Sequence, residues 1–329
     1  MSNKTLIIGS NSFSGAAFCE HLLNQDQQVV GISRSAQPIA ELLPYTQTAR
    51  GQFQFYQQDI NKHLDLIGDL IDKEKPKYIY NFAAQSMVGQ SWDIPEDWFL
   101  TNTLSTVKLF NLLKDKEWLH RYIHISTPEV YGSCTGYKAE STIYNPSTPY
   151  ATSRAAADMS LKNFYDVYKL PFVSTRAANV YGAGQQLYRI IPKTILCGLL
   201  GTKLTLHGGG HSKRSFIEIS DVSSATQIIG EQGELGQTYH ISTKSTVSIR
   251  QLVCMICEQL GVDFTALVEI SDDRKGKDDA YLLDSSKLRN ELAWRDKITL
   301  ETGIAKTIAW VRDNLDVLSA QPLNYIHKP

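Results

Sequence analysis

The chain has 329 residues, 42% hydrophobic and 20% charged, with a formal net charge of −1. That balance, with no run of Lys or Arg, argues against a nucleic-acid backbone or an anionic membrane surface as partner. No apolar stretch reaches the roughly 18–20 residues needed to span a bilayer, and the apolar run before Gly9 is too short for a signal-peptide core, so a cytoplasmic location is expected.

In chain order, "TLIIG" (5–9) reads as a strand and "GAAFCEHLLNQ" (15–25) as a helix. The β-branched and aromatic runs "QVVGIS" (28–33), "FQFYQQD" (53–59), "KYIYNFA" (77–83), "RYIHIS" (121–126) and "FVSTRAAN" (172–179) continue the strands. Helical patterns lie between them near 62–75, 95–116 and 150–169. Such alternation implies a doubly wound parallel sheet, because each parallel return needs a crossover. After Gly182 the pattern loosens into a helix in "GQQLYRIIPKTILCGLLG", a possible last strand of the sheet in "TYHIS" (238–242), and helical patterns at 248–260, 285–292 and 300–314. The expected division is a dinucleotide-binding domain over 1–181 plus about 215–243, and a smaller substrate-binding lobe over about 182–214 plus 244–329. The five cysteines are thinly spread. Cys254 and Cys257 form a C-x-x-C, but on an amphipathic helical pattern without a second ligand pair, so core packing is expected and no metal.

After the first strand comes "GSNSFSG", with Gly9, Ser12, Phe13 and Gly15. A dinucleotide site needs a tight turn here, close backbone approach to a pyrophosphate, and a helix N-terminus aimed at it. The second strand ends not in an acid, which would bind the adenosine ribose hydroxyls, but in Ser33-Arg34-Ser35. A cation flanked by hydroxyls suits a 2′-phosphate, which favours NADP(H), with NAD(H) as the other form. Asp59, with Ile60 after it, is placed to meet the adenine ring or else to cap the next helix. Ala83 and Ala84, beyond the fourth strand, complete the cofactor set.

"STPEVYG" (126–132) puts a hydroxyl and a lone carboxylate at the end of a strand, and "YATSR" (150–154) follows about two dozen residues later. Thr127 is positioned to polarise a substrate oxygen and Tyr150 to exchange a proton as hydride moves, its pKa expected to fall beside positive charge. Arg154, four residues on, lies one helical turn away on the same face.

Together these motifs resemble the extended short-chain dehydrogenase/reductase family, of the nucleotide-sugar 4,6-dehydratase type, from about Thr5 to Leu315. "YNFAAQSMVGQSWDIPEDW" is similar to the GDP-mannose branch and "RKGKDDAYLLDSSKLRNELAW" to the dTDP-glucose branch; "RSFIEISDV" and "RAANVYG" fit both. The resemblance implies a Rossmann-type α/β fold and an NDP-hexose substrate that is oxidised at C4, deprotonated at C5 and dehydrated, with hydride returned to C6. Glu129 matches the family's base at C5. Three positions depart from the family pattern: Ser12 stands for the middle glycine of G-x-x-G-x-x-G, Arg154 for lysine, and Pro128 for an aspartate or serine. By the same resemblance Asn179, Arg189, Arg214 and Lys277 are candidates for the sugar-nucleotide side, and Gln85 and Ser86 for cofactor or sugar. The resemblance also implies that the helices near 95–116 and 150–169 pair across a homodimer. A 4-epimerase or 4-reductase on the same scaffold, and a catalytically degenerate nucleotide-binding protein, are the alternative readings.

Overall fold

The computed structural model describes residues 4–48, 50–134, 136–272 and 282–328. Its central sheet has seven strands: β1 Lys4–Ile8, β2 Gln28–Ser33, β3 Gln52–Gln57, β4 Tyr78–Asn81, β5 Arg121–Ile125, β6 Phe172–Ala177 and β7 Thr238–Ile241. They run parallel in the order β7-β6-β5-β4-β1-β2-β3. The inner strands are buried on both faces, as strands covered by helices on each side must be. β3, at the edge, alternates in burial. The chain reverses direction across the sheet between β1 and β4, and ligands of open α/β sheets bind beyond the carboxyl ends of the strands at such a point.

One face of the sheet is packed by α1 Phe13–Leu23 and by a later helix, Ile219–Gln232, around Ile7, Phe18, Tyr80 and Ile123. The other face is packed by α2 Leu64–Glu74, by a helical segment over 95–113, and by helix Pro149–Tyr168. A third cluster, with Tyr181, Ile195, Ile256 and Ile304 at its centre, joins helices Ile190–Leu200, Ile249–Leu260 and Leu300–Asp313. Cys257 is buried beside Leu204, Leu206 and Val253, and both C-x-x-C thiols are free, in keeping with a packing role. Among the described residues no helix is long and apolar enough to cross a membrane.

The helix expected over 95–116 is not one regular helix. It consists of α3 Pro95–Trp98, a π-helical stretch Phe99–Ser105, and α4 Thr106–Leu113. Asn102, fully buried, is the reason: its amide oxygen accepts from Gln85 N (2.8 Å), and its amide nitrogen donates to Gln85 O (3.0 Å) and Ser153 Oγ (3.0 Å). The Thr106 hydroxyl donates to Thr101 O, five residues back, in the widened register. The bulge thereby clamps the loop that follows β4.

Candidate active site

At the carboxyl ends of the strands lies a cavity of about 790 Å³. Its walls come from the α1 N-terminus, the loops after β4 and β5, the start of helix Pro149–Tyr168 (α5) and the region around Arg189 and Arg214. Of the residues expected to act, Ser12, Phe13, Arg34, Ala84, Gln85, Ser86, Thr127, Glu129, Tyr150, Arg154, Asn179, Arg189 and Arg214 line it. Gly9, Gly15, Asp59, Ile60 and Ala83 do not line it, and Lys277 lies outside the described residues.

The β1–α1 turn shows how serine replaces the middle glycine. Ser12 adopts an extended conformation (φ −73°, ψ 156°) that any L residue tolerates. Its hydroxyl accepts from Gly15 N (3.1 Å) and donates to Gly9 O (2.7 Å), so it is an N-cap. Gly9 is the position that needs glycine: φ is +89°, and a Cβ there would sit 2.7 Å from Ala83 N. A Cβ on Gly15 would lie 2.2 Å from Gly9 O. The first-turn N–H groups of Phe13 and Ser14 have no partner inside the helix and stand at the cavity wall, which suits a pyrophosphate. These residues fit a dinucleotide. Asp59 is occupied locally, accepting from Asn61 N (2.8 Å) through its carboxylate, and Ile60 belongs to the core under the sheet.

The β5 loop and α5 bring the expected catalytic residues to one cavity. Thr127 caps the short turn Pro128–Tyr131, with Pro128 at its first position, where a missing N–H costs nothing. Gly132 ends that turn at φ +66°, where a Cβ would strike Asn145 O. Thr148 caps α5 through Ala151 N and Pro149 opens it, which places Tyr150 in the first helical turn. The Tyr150 phenol stands beside the Thr127 hydroxyl. Burial and the charge of Glu129 raise its pKa, against the opposing influence of Arg154, the Thr127 hydroxyl and Arg189. The lowered phenol expected from the sequence is therefore corrected here: burial and the neighbouring carboxylate outweigh the cations. Glu129, half-buried, is the sole carboxylate among the described residues that line the cavity, alongside Arg34, Arg154, Arg189, Lys193 and Arg214.

Arg154 is almost wholly buried. Its Nη2 donates to the backbone oxygen of Ile125 and lies 3.4 Å from His124 Nε2, while its Nε has no partner within the chain. Arg154 lines the cavity, but this Nε is enclosed by the protein. Behind it, Asp158 accepts from Ser126 Oγ (2.7 Å) and Arg176 Nη2 (2.8 Å) and faces His124 Nε2 at 3.3 Å. Asn81 donates to the Tyr122 hydroxyl, whose proton is then free for His124 Nδ1, which puts the ring proton on Nε2 toward Asp158. Burial alone would raise the Asp158 carboxyl; Arg176, His124 and Arg154 hold it well below the usual carboxylate range. Burial, reinforced by the two arginines, lowers His124 and keeps it neutral. None of these partners stands out in the sequence, because each is an ordinary strand or helix residue until the strands align.

Asn179 is fixed by its backbone N–H to Ser215 O (3.1 Å), Arg189 reaches Ser86 Oγ at 3.4 Å, and Arg214 donates to its neighbour Lys213 O (2.8 Å). Both Gln85 amide atoms are engaged by a segment near 325–328. Tyr188 and Tyr325 also line the cavity and carried no signal in the sequence.

The family model described as GDP-mannose 4,6 dehydratase matches residues 6–307. A dTDP-glucose 4,6-dehydratase from Xanthomonas campestris pv. campestris is 32% identical over 267 residues, 76% of this chain and 76% of that protein. Among solved structures, the dTDP-glucose 4,6-dehydratase DesIV from Streptomyces venezuelae, with NAD and TYD bound, superposes with a TM-score of 0.88 at 29% identity, covering 95% of this chain and 98% of that one. The dTDP-glucose 4,6-dehydratase from Bacillus anthracis in complex with NAD gives a TM-score of 0.86 at 28% identity, over 95% and 97% of the two chains.

Proposed function

This chain belongs to the GDP-mannose 4,6 dehydratase family, and from that premise we propose that it converts a nucleoside-diphosphate hexose to its 4-keto-6-deoxy derivative. The observation that carries the reading is Glu129: the one carboxylate that lines the cavity among the described residues, amid five cations and beside the buried Tyr150 and Thr127. A 4-epimerase or 4-reductase has no step that needs a base at C5. The arginines and Lys193 suit the diphosphate of the substrate.

In this mechanism Thr127 orients the C4 hydroxyl and Tyr150 takes its proton, with Arg154 offering positive charge one turn below. A nicotinamide dinucleotide, which Ser12, Phe13 and Arg34 would hold, would supply the hydride acceptor for C4, the hydride donor for C6 and, when oxidised, a positive charge that favours the Tyr150 phenolate. The ketone acidifies C5, and Glu129 removes that proton. Pro128 has no proton to give, so Glu129 passes the proton on to the C6 hydroxyl as the C6–O bond breaks, and water leaves. The proton that C5 later regains balances the one Tyr150 took at C4.

A nicotinamide dinucleotide is the cofactor, and for its form we propose NADP(H). β2 ends without a carboxylate, and Arg34 lines the cavity. The two solved relatives carry NAD, so dissociation constants for NADP⁺ and NAD⁺ measured side by side decide the point. The nucleotide-sugar lobe is taken as about 182–214 with 244–329. A homodimer is proposed on exposed Phe99, Leu100 and Leu104 and, from α5, Met159 and Val167, to be tested by mass in solution for wild type and Leu104→Glu. Incubation with a panel of nucleotide sugars, read by mass, tests the activity: loss of one water from a hexose supports it, and no such loss from any member overturns it.

A further inference from the structure

Residues 321–328 form no helix or sheet strand, yet they are laid down with strand-like periodicity: Gln321, Leu323, Tyr325 and His327 turn inward, while Pro322, Asn324, Ile326 and Lys328 face solvent. Three of the inward side chains have specific seats. Leu323 packs on the cluster formed by helices Ile190–Leu200 and Ile249–Leu260. Tyr325 enters the cavity, edge-on to Tyr188 with ring centres 5.5 Å apart. His327 Nε2 lies 2.6 Å from Asp97 Oδ2, and its ring stacks on buried Trp98 (5.1 Å, 10° between planes). Gln85 Nε2 donates to Lys328 O at 2.7 Å, and the Tyr325 hydroxyl approaches Gln85 Oε1 at 3.5 Å. The segment thus ties α3 and the β4 loop to the helix cluster beyond the sheet, with Tyr325 at the cavity wall between them.

Tyr325 is within electrostatic reach of both Arg34, at the end of β2, and Arg189. Its hydroxyl faces Gln85, the residue after Ala84 of the expected cofactor set, and Arg34 stands on the same cavity wall, so Tyr325 sits where the dinucleotide side of the cavity meets Arg189. We propose that 321–328 is a clasp over the cofactor. Tyr325 is a cofactor-site residue, and the His327–Asp97 and Lys328–Gln85 contacts are positioning contacts that hold it there. This rests on the dehydratase reading for its purpose: hydride leaves at one step and returns two steps later, so the cofactor must not escape in between.

The test is the dissociation rate of NADPH and of NADH from the purified full chain, followed by the change in nicotinamide fluorescence on displacement by excess oxidised cofactor. Tyr325→Ala and His327→Ala each speed release about tenfold, as expected for loss of a packed aromatic or a charge-assisted hydrogen bond. Asp97→Asn reproduces His327→Ala, and the double variant adds little, because both remove one contact. Thermal melts confirm that each variant is folded; should one not fold, the other two carry the decision. Unchanged release rates in the folded variants overturn the clasp, as does failure of the wild type to hold either reduced cofactor. Product analysis separates this from the parent reading. Clasp variants of an active dehydratase release reduced cofactor together with a ketose two hydrogens lighter than the substrate. A wild type that dehydrates no nucleotide sugar defeats the dehydratase reading, while the release rates still decide the clasp.

Discussion

Asp158 Oδ2 lies 2.8 Å from Arg176 Nη2, so the carboxylate one turn along α5 from Arg154 is committed to a cation on β6. Both partners are buried, and removing one leaves an uncompensated charge. Asp158→Asn should cost about 3–5 kcal/mol in denaturant unfolding. The pH dependence has a defined sign. Because the folded-state carboxyl is depressed, the pair's stabilisation is complete above the unfolded value of about 3.9 and is lost as pH falls toward the folded one. Wild type should lose stability below about pH 4 more steeply than Asp158→Asn. Equal slopes would refute the pairing.

Glu129→Gln should separate oxidation from elimination. Dehydration falls by about 10²–10⁴-fold, while C4 oxidation persists, seen as a substoichiometric burst of reduced nicotinamide without loss of water. Because the charge of Glu129 raises the Tyr150 phenol, which must be ionised to take the C4 proton, its removal should also shift the rising limb of that burst's pH profile to lower pH. An unmoved limb would mean that Glu129 does not act on Tyr150.

Arg34→Ala should weaken NADP⁺ by about tenfold or more, the worth of a charge-assisted hydrogen bond, and leave NAD⁺ nearly unchanged. Titration of each form by calorimetry checks it. Equal losses for both would show that Arg34 does not read the 2′-phosphate.

Ser12 is assigned as a cap, so Ser12→Ala should destabilise by about 1 kcal/mol and Ser12→Gly by only a few tenths. Cofactor affinity should be nearly the same in both. A large loss of affinity in Ser12→Gly would instead make the hydroxyl a phosphate ligand.

The strands were legible because each is a short apolar run punctuated by turn residues, and burial on both faces leaves little choice of class. That Thr127, Glu129, Tyr150 and Arg154 would line one cavity was legible because local spacing brings them to one strand end and one helix start. The direction of the Tyr150 shift was not, since burial and the distance to Glu129 belong to the folded chain. Asp158, His124 and Arg176 meet only when β5, β6 and α5 are assembled. Tyr325 reaches the cavity from 240 residues beyond Gln85, a pairing that no local pattern encodes.

The widened turn at Phe99–Ser105 has a consequence for how this chain tolerates change in length. Deleting a single residue there would restore ordinary α spacing and rotate one half of the segment about 100° against the other. Either Asn102 would swing away from Gln85, or Leu109 and Phe110 would leave the sheet they pack on. The extra residue acts as a phase adjuster between a polar grip and a greasy one, and losing it would disturb the catalytic chamber without altering any group that touches a ligand.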